Sequence, residues 1–223
     1  MDLHNFDWPV DRDGYAVELI QGKQYVRACG GPSRNYRPLE DAPGLWREFA
    51  DNCNSVDGVL TFVNAYGLLD PSQSGELGRQ NELLEQILNT AISVRDICAA
   101  MDCGKILHAV ELFGRWQPRL RASIRHNEKG RLQFYYRPET LRGAILLQTG
   151  EAITGNYQFR RCECPGCGRW FRLGPGAHST RRRFCADRCR VAADRLKKRK
   201  DNLNERPHSR TLTRALGHRS GST

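Results

Sequence analysis

Cys162-Glu163-Cys164-Pro165-Gly166-Cys167-Gly168-Arg169-Trp170-Phe171 and Arg183-Phe184-Cys185-Ala186-Asp187-Arg188-Cys189-Arg190 decide how the last third of this chain folds. They carry paired cysteines, are separated by a segment rich in arginine and glycine, and run straight into a basic stretch. A tetrahedral metal site takes four soft or borderline donors from two chain segments, and a short Cys-x-x-Cys turn offers two thiolates to one ion without strain. The favoured ligands on this spacing are Cys164, Cys167, Cys185 and Cys189, and the expected ion is zinc. Gly168 allows backbone amides to turn toward the sulfurs. Cys162 is a rival to Cys164, since Cys162-x4-Cys167 also lies within the range of a metal knuckle, and His178 is a rival to one of the cysteines. Both rank below the four-cysteine set.

Composition sets the frame around this motif. A chain of 223 residues suits one ordinary domain with an appendage, or two small domains, and can bury a core without help from a metal. It has no run of about 18 apolar residues, and Met1-Asp2-Leu3-His4-Asn5-Phe6-Asp7 has neither a basic leader nor an apolar stretch. These features predict a cytoplasmic protein with no membrane association. Nine cysteines, an odd count, then favour reduced thiols and metal over disulfides. Cys29, Cys53, Cys98 and Cys103 are expected to be small buried hydrophobes.

The net charge of +10 is unevenly spread. From Phe159 to Thr223, 18 Lys and Arg stand against 5 Asp and Glu, a net +13, whereas the first 158 residues carry 17 against 20, a net −3. Such density at one end of a slightly acidic protein is the electrostatic footprint of a nucleic-acid-binding region, with a solvated basic tail as the plainer reading.

The sequence before the cysteines reads as one mixed domain. A hairpin is predicted from Tyr15–Ile20 and Gln24–Ala28 with Gly22 in the turn, followed by a connector over 30–43 rich in Gly, Pro, Ser and Asn. Helices are predicted from Leu45, over 55–66 with Ser55 as N-cap and Gly67 past the end, and over about 76–101 from apolar residues at spacings of three, four or seven. The helical pattern continues through 106–113. A second hairpin pairs 120–125 with 132–136 across Asn127-Glu128-Lys129-Gly130. Pro138 opens a last helix bearing Leu141, Ala144, Ile145 and Leu147, with Gly155 at its end. No Pro-rich or Ser-rich linker intervenes before the cysteines, so the two parts should pack together.

The expected fold class is therefore α+β. A mostly helical N-terminal domain with two short β-hairpins spans residues 1–158, and a small zinc finger of treble-clef or zinc-ribbon type with a basic helix spans 159–203. A basic, flexible tail spans 204–223. In the finger helix, Cys189, Ala192, Ala193 and Leu196 fall on one stripe at 100° per residue, while the cations point elsewhere. The candidate nucleic-acid contacts are Arg181, Arg182, Arg183, Arg188, Arg190, Arg195, Lys197, Lys198 and Arg199, with DNA the preferred partner. Trp170, Phe171 and Phe184 are expected to pack around the metal, with base stacking by Trp170 the sharper alternative. The competing reading is an interaction module in which zinc is a staple and the basic surface meets RNA or an acidic protein. In the DNA-binding reading, the N-terminal domain senses a small ligand, oligomerises or contacts a protein partner.

The finger resembles the bacterial CGNR-like or FCS-type zinc fingers, in which an α-rich domain precedes Arg-Cys-x-x-Cys-Gly-x-Trp-Phe and then Arg-x-Phe-Cys-x-x-x-Cys-Arg. The matching residues are Cys164 to Phe171 and Arg183 to Arg190. The Cys-Gly-Asn-Arg signature itself is absent, Arg190-Val191-Ala192 following Cys189. The resemblance implies a DNA-binding transcription regulator. Enzymatic motifs are absent: there is no HExxH, GxxxxGK[ST] or GxSxG, and no HxE ahead of a PCxxC. A four-cysteine site is also closed to an activated water. Glu82, Glu85, Asp96 and His108 read as charges on exposed helix faces, and no enzymatic activity is expected.

Overall fold

The computed structural model describes residues 6–71, 80–116, 120–126, 130–155, 158–173 and 181–204. His178 and the tail from 205 onward lie outside the described residues. Among the described residues, secondary structure is mixed, with four small antiparallel sheets and seven helices.

Strands β1 (Trp8–Asp11), β2 (Tyr15–Ile20), β3 (Lys23–Ala28) and β4 (Ser33–Tyr36) form the opening of the chain. The β2–β3 hairpin closes through Gln21 and Gly22, with φ of 49° and 78°, the pair of positive values that matches a two-residue turn to strand twist. β4 lies inside the stretch expected to be a connector, and it pairs with β1 from Trp8↔Tyr36 to Asp11↔Ser33. Its Ser-Arg-Asn-Tyr sequence is mostly exposed, so hydrophobic alternation gives no sign of it. The buried Asp11 carboxylate, which accepts from the amides of Asp13, Gly30 and Gly31, holds the chain in place there.

Helices α1 (Pro38–Asp41), α2 (Leu45–Asn52) and α3 (Val56–Tyr66) follow. Ser55 caps α3 by accepting from the Gly58 amide at 3.2 Å, as its position predicts. The long helix is shorter than the periodicity implies. Residues 72–79 are outside the described set, Asn81–Leu83 form strand β5 against β3, and α4 runs from Leu84 to Asp102. After α5 (Ile106–Gly114), β6 (Leu120–His126) and β7 (Leu132–Pro138) make the second hairpin where it is expected, with β7 running on through Arg137 and Pro138. Pro138 ends β7 and does not open the next helix. Thr140 is the N-cap of α6 (Leu141–Ile153) and accepts from the Gly143 amide at 3.1 Å.

α6 is the central element. Leu141, Ala144, Ile145, Leu146, Thr149 and Ala152 are buried around much of its circumference, as expected of a helix enclosed by neighbours. Gln148, also buried, reaches from α6 to the carbonyls of Pro38 and Ala42 and accepts from the Trp46 amide, so one side chain satisfies the α1–α2 junction. The main core joins Trp46, Phe49, Phe62, Ile87, Val94, Leu141 and Ile145 with Val10 and Val26 of the sheets.

Of the four residues read as charges on exposed helix faces, Glu85, Asp96 and His108 are exposed, but Glu82 is a correction. It sits on β5 with 2% exposure, accepts from the amides of Leu69 and Asp70, and pairs with Arg142 at 3.1 Å. Burial raises its pKa, against the opposing pull of the two amides and Arg142. Replacing Glu82 by Ala would leave two amides and a guanidinium without their acceptor. We expect a loss of about 3 kcal/mol, seen as a lower urea midpoint at an unchanged m-value.

Candidate metal centre and basic helix

Strand β8 (Gln158–Arg161) pairs with β9 (Trp170–Leu173), and the two faces of this hairpin divide the labour of the finger. Side chains alternate along a strand, so Phe159 and its neighbours in phase face one way, and Phe171, Leu173 and Cys162 face the other. The first face meets the N-terminal domain: Phe159 packs edge-on to Trp46 with ring centres 5.6 Å apart. Cys162, Phe171 and Leu173 join Cys164 and Cys189 in a small separate core, flanked by Cys167, Phe184, Cys185 and Ala192.

Within that core, the sulfurs of Cys162, Cys167, Cys185 and Cys189 all lie within 4.8 Å of one another. Cys167 and Cys185 are 3.7 Å apart, and Cys185 and Cys189 are 3.5 Å apart. Four thiolates around a tetrahedral ion with metal–sulfur bonds of 2.3 Å would stand about 3.8 Å apart, so this cluster has the dimensions to hold a metal ion. The set differs from the expected one in one member: Cys162 stands where Cys164 was favoured. The reason is local geometry. Cys162 continues β8, its amide bonded to the Arg169 carbonyl at 2.8 Å, and its sulfur receives the Cys185 amide at 3.4 Å. Cys164 instead begins a turn in which the Cys167 amide bonds to its carbonyl at 3.0 Å and Gly166 has φ of 80°, the geometry Pro-Gly favours. Its sulfur lies against the Pro165 carbonyl at 3.6 Å and fills the core. The available signal was phase, because Cys162 lies in register with Phe171 and Leu173 across the hairpin.

Burial alone would raise the Cys162 thiol, but amide donation from Cys185 and Cys164 outweighs it and the net shift is downward. Cys167 and Cys185 shift upward, chiefly by burial and also through the neighbouring sulfurs. A second thiolate beside the first is unfavourable until a cation joins them. All nine cysteines are free thiols; Cys53 and Cys98 are buried as expected, whereas Cys29 and Cys103 are exposed.

Helix α7 (Asp187–Asn204) starts at the cluster. Cys189 is buried and Ala192 packs on the metal core, but Leu196 is 38% exposed, so the docked stripe ends within two turns and the rest of the helix projects. Arg181, Arg188, Arg190, Arg195, Lys197, Lys198 and Arg199 are solvent-exposed. Arg182 and Arg183 have internal duties. Arg182 donates to the carbonyls of Phe184 (2.9 Å) and Cys185 (2.5 Å) and lies over the Phe171 ring, while Arg183 pairs with Glu163 at 2.5 Å. With Arg181, Arg190 and Asp187 they line an open cleft of about 490 Å³.

Trp170 is turned toward α2. Its indole nitrogen donates to Asp51 at 2.9 Å and its amide to Glu48 at 3.3 Å, and Glu48 also accepts from the Tyr66 hydroxyl. The Arg47 guanidinium stands 4.5 Å from the Trp46 ring and 5.2 Å from the Trp170 ring, and is held by two bonds to Asp102. Trp170 therefore joins the finger to the N-terminal domain and does not present a free ring for base stacking.

Two substitutions check this arrangement. Cys162→Ser should abolish stoichiometric metal binding while Cys164→Ser retains about one ion per chain, measured by elemental analysis of the purified proteins; the reverse pattern would restore Cys164 as the ligand. A Cβ at Gly44 would come within 2.4 Å of Trp170 Cβ and 2.7 Å of its carbonyl oxygen. Gly44→Ala should therefore cost about 1–3 kcal/mol in thermal or urea unfolding and expose the finger to proteolysis. Compared with known proteins, the chain matches no family model and no curated protein sequence.

Proposed function

We propose that the cysteine cluster holds zinc, and that the finger with α7 binds DNA, as part of a cytoplasmic transcription regulator. The observation that carries this reading is the placement of Cys189. It belongs both to the metal cluster and to the first turn of a helix whose remaining faces carry Arg188, Arg190, Arg195, Lys197, Lys198 and Arg199. A bound ion would thus set the position of a basic surface relative to the domain. Four thiolates favour zinc and leave no coordination site for water, so the ion is structural and no enzymatic activity is assigned. A thiolate site also suits a reducing compartment, and no helix among the described residues is long and apolar enough to cross a membrane. The regulatory role is supported by the resemblance of Cys164–Phe171 and Arg183–Arg190 to CGNR-like fingers, and by a second domain packed against the finger.

The basic surface has seven exposed cations on or beside α7. If these meet phosphates, the full chain titrated with duplex DNA should show log K falling against log salt with a slope of about −6, or roughly 10³–10⁴-fold in affinity between 50 and 200 mM salt. Chelation of the metal should abolish binding. Absence of binding, or binding indifferent to salt, would refute the proposal, and preferential competition by RNA would replace DNA as the partner.

A further inference from the structure

The cysteine cluster is shaped by residues that are not themselves ligands, and two of them belong to the N-terminal domain. Arg169, just ahead of β9, is bonded to two of the four clustered cysteines. Its carbonyl accepts from the Cys162 amide at 2.8 Å, and its amide donates to the Cys167 sulfur. Arg161 Nε donates to the neighbouring Gly168 carbonyl at 3.1 Å and so ties the same turn to β8. Hydrogen bonds behind a ligand orient it, and losing them lowers metal affinity by about 10–100-fold.

The Arg169 carbonyl and the Trp170 amide belong to one planar peptide group. Cys162 is bonded to one end of that group, and Glu48 of α2 accepts from the other end at 3.3 Å. Bonds at the two ends of a peptide polarise one another, so each strengthens the other. Asp51, one turn further along α2, accepts from the Trp170 indole nitrogen at 2.9 Å. Glu48 is itself oriented by the Tyr66 hydroxyl. A cleft of about 130 Å³ lies at this junction, with Glu48 and Asp51 of α2 and Cys167, Gly168 and Arg169 of the finger among its lining residues. Two carboxylates of the acidic domain thus hold the backbone that holds Cys162.

We infer that Glu48 and Asp51 are positioning residues of the metal centre. By fixing the 169–170 peptide and the Trp170 ring they keep Cys162 where it can ligate, so the N-terminal domain tightens metal binding. Linkage makes the effect mutual: the bound ion tightens the docking of the finger on α2 by the same factor. The contacts of Trp170 with Glu48 and Asp51 are polar, of the kind found where domains are able to separate, so loss of the ion loosens the hold of α2 on the finger and on α7. The inference rests on the proposed occupancy of the cluster by zinc and is independent of DNA binding.

The test measures the zinc affinity of the full chain by competition with a chromophoric chelator, and takes the thiolate-to-metal absorption of the cobalt-substituted protein as a second readout. Glu48→Ala with Asp51→Ala removes both acceptors and should weaken zinc binding about tenfold and shift the cobalt bands. Glu48→Gln with Asp51→Asn keeps an acceptor oxygen at each position and should restore most of the affinity. Asp96→Ala with Glu111→Ala removes two exposed carboxylates of α4 and α5 and should leave both readouts unchanged. Where circular dichroism shows the double Ala variant unfolded, Trp170→Phe carries the test. It deletes the donor to Asp51 and keeps an aromatic ring, and zinc should bind about threefold more weakly. A folded variant, whether the double Ala or Trp170→Phe, with wild-type affinity and cobalt spectrum overturns the inference. Equal weakening in the Asp96 and Glu111 variant also overturns it, since net charge would then be the cause. If the wild-type chain binds no zinc, the metal reading falls first, and the positioning role with it.

Discussion

Cys162 comes from a strand end, Cys167 from a turn, Cys185 from a loop and Cys189 from a helix, yet their sulfurs share a volume within 4.8 Å of one another. No other interaction among the described residues of the finger joins so many elements. Its hydrophobic core has a handful of members, among them Phe171, Leu173 and Phe184, and a module of that size gains little from apolar burial alone. Neighbouring thiolates repel, so the cluster holds together as thiolates only around a cation. An ion held there would fix both the position of the β8–β9 hairpin and the orientation of α7.

The hairpin passes the constraint to the rest of the molecule. Because alternate residues face opposite ways, the strand that places Cys162 on the metal core also places Phe159 against Trp46. Trp170 then makes polar contacts to Glu48 and Asp51 and stacks near Arg47. Gly44 permits the close approach of α2 to the Trp170 backbone. Glu48 is shared between Trp170 and the Tyr66 hydroxyl, so α2, α3 and the finger meet at one carboxylate. A change of packing in the N-terminal domain therefore has a direct physical route to the basic helix.

Local signals were readable where a residue's role depends on near neighbours. Ser55 caps α3, Gly67 follows it with φ of 87°, and the β2–β3 and β6–β7 hairpins fall where alternation and turn residues put them. Signals failed where the partner is distant. β4 is polar and exposed and exists because β1 offers it a ladder. Glu82 looked solvated because nothing nearby in sequence shows that the Leu69 and Asp70 amides and Arg142 surround it. Arg182 and Arg183, counted with the other candidate contacts, are occupied by carbonyls and Glu163 brought close by folding.

Two pairs of cysteines, an acidic first part and a basic last part are properties of composition and spacing, and the sequence by itself determines them. It determines as well that a metal-sized thiol site adjoins a basic helix. Tertiary structure alone decided between Cys162 and Cys164, since both lie within reach of Cys167 along the chain. The choice depends on strand phase, which becomes definite only when β8 pairs with β9 and one of its faces is claimed by Trp46. It also decided that Trp170 is a joint, because register assigns side chains to faces and register is a property of two strands together.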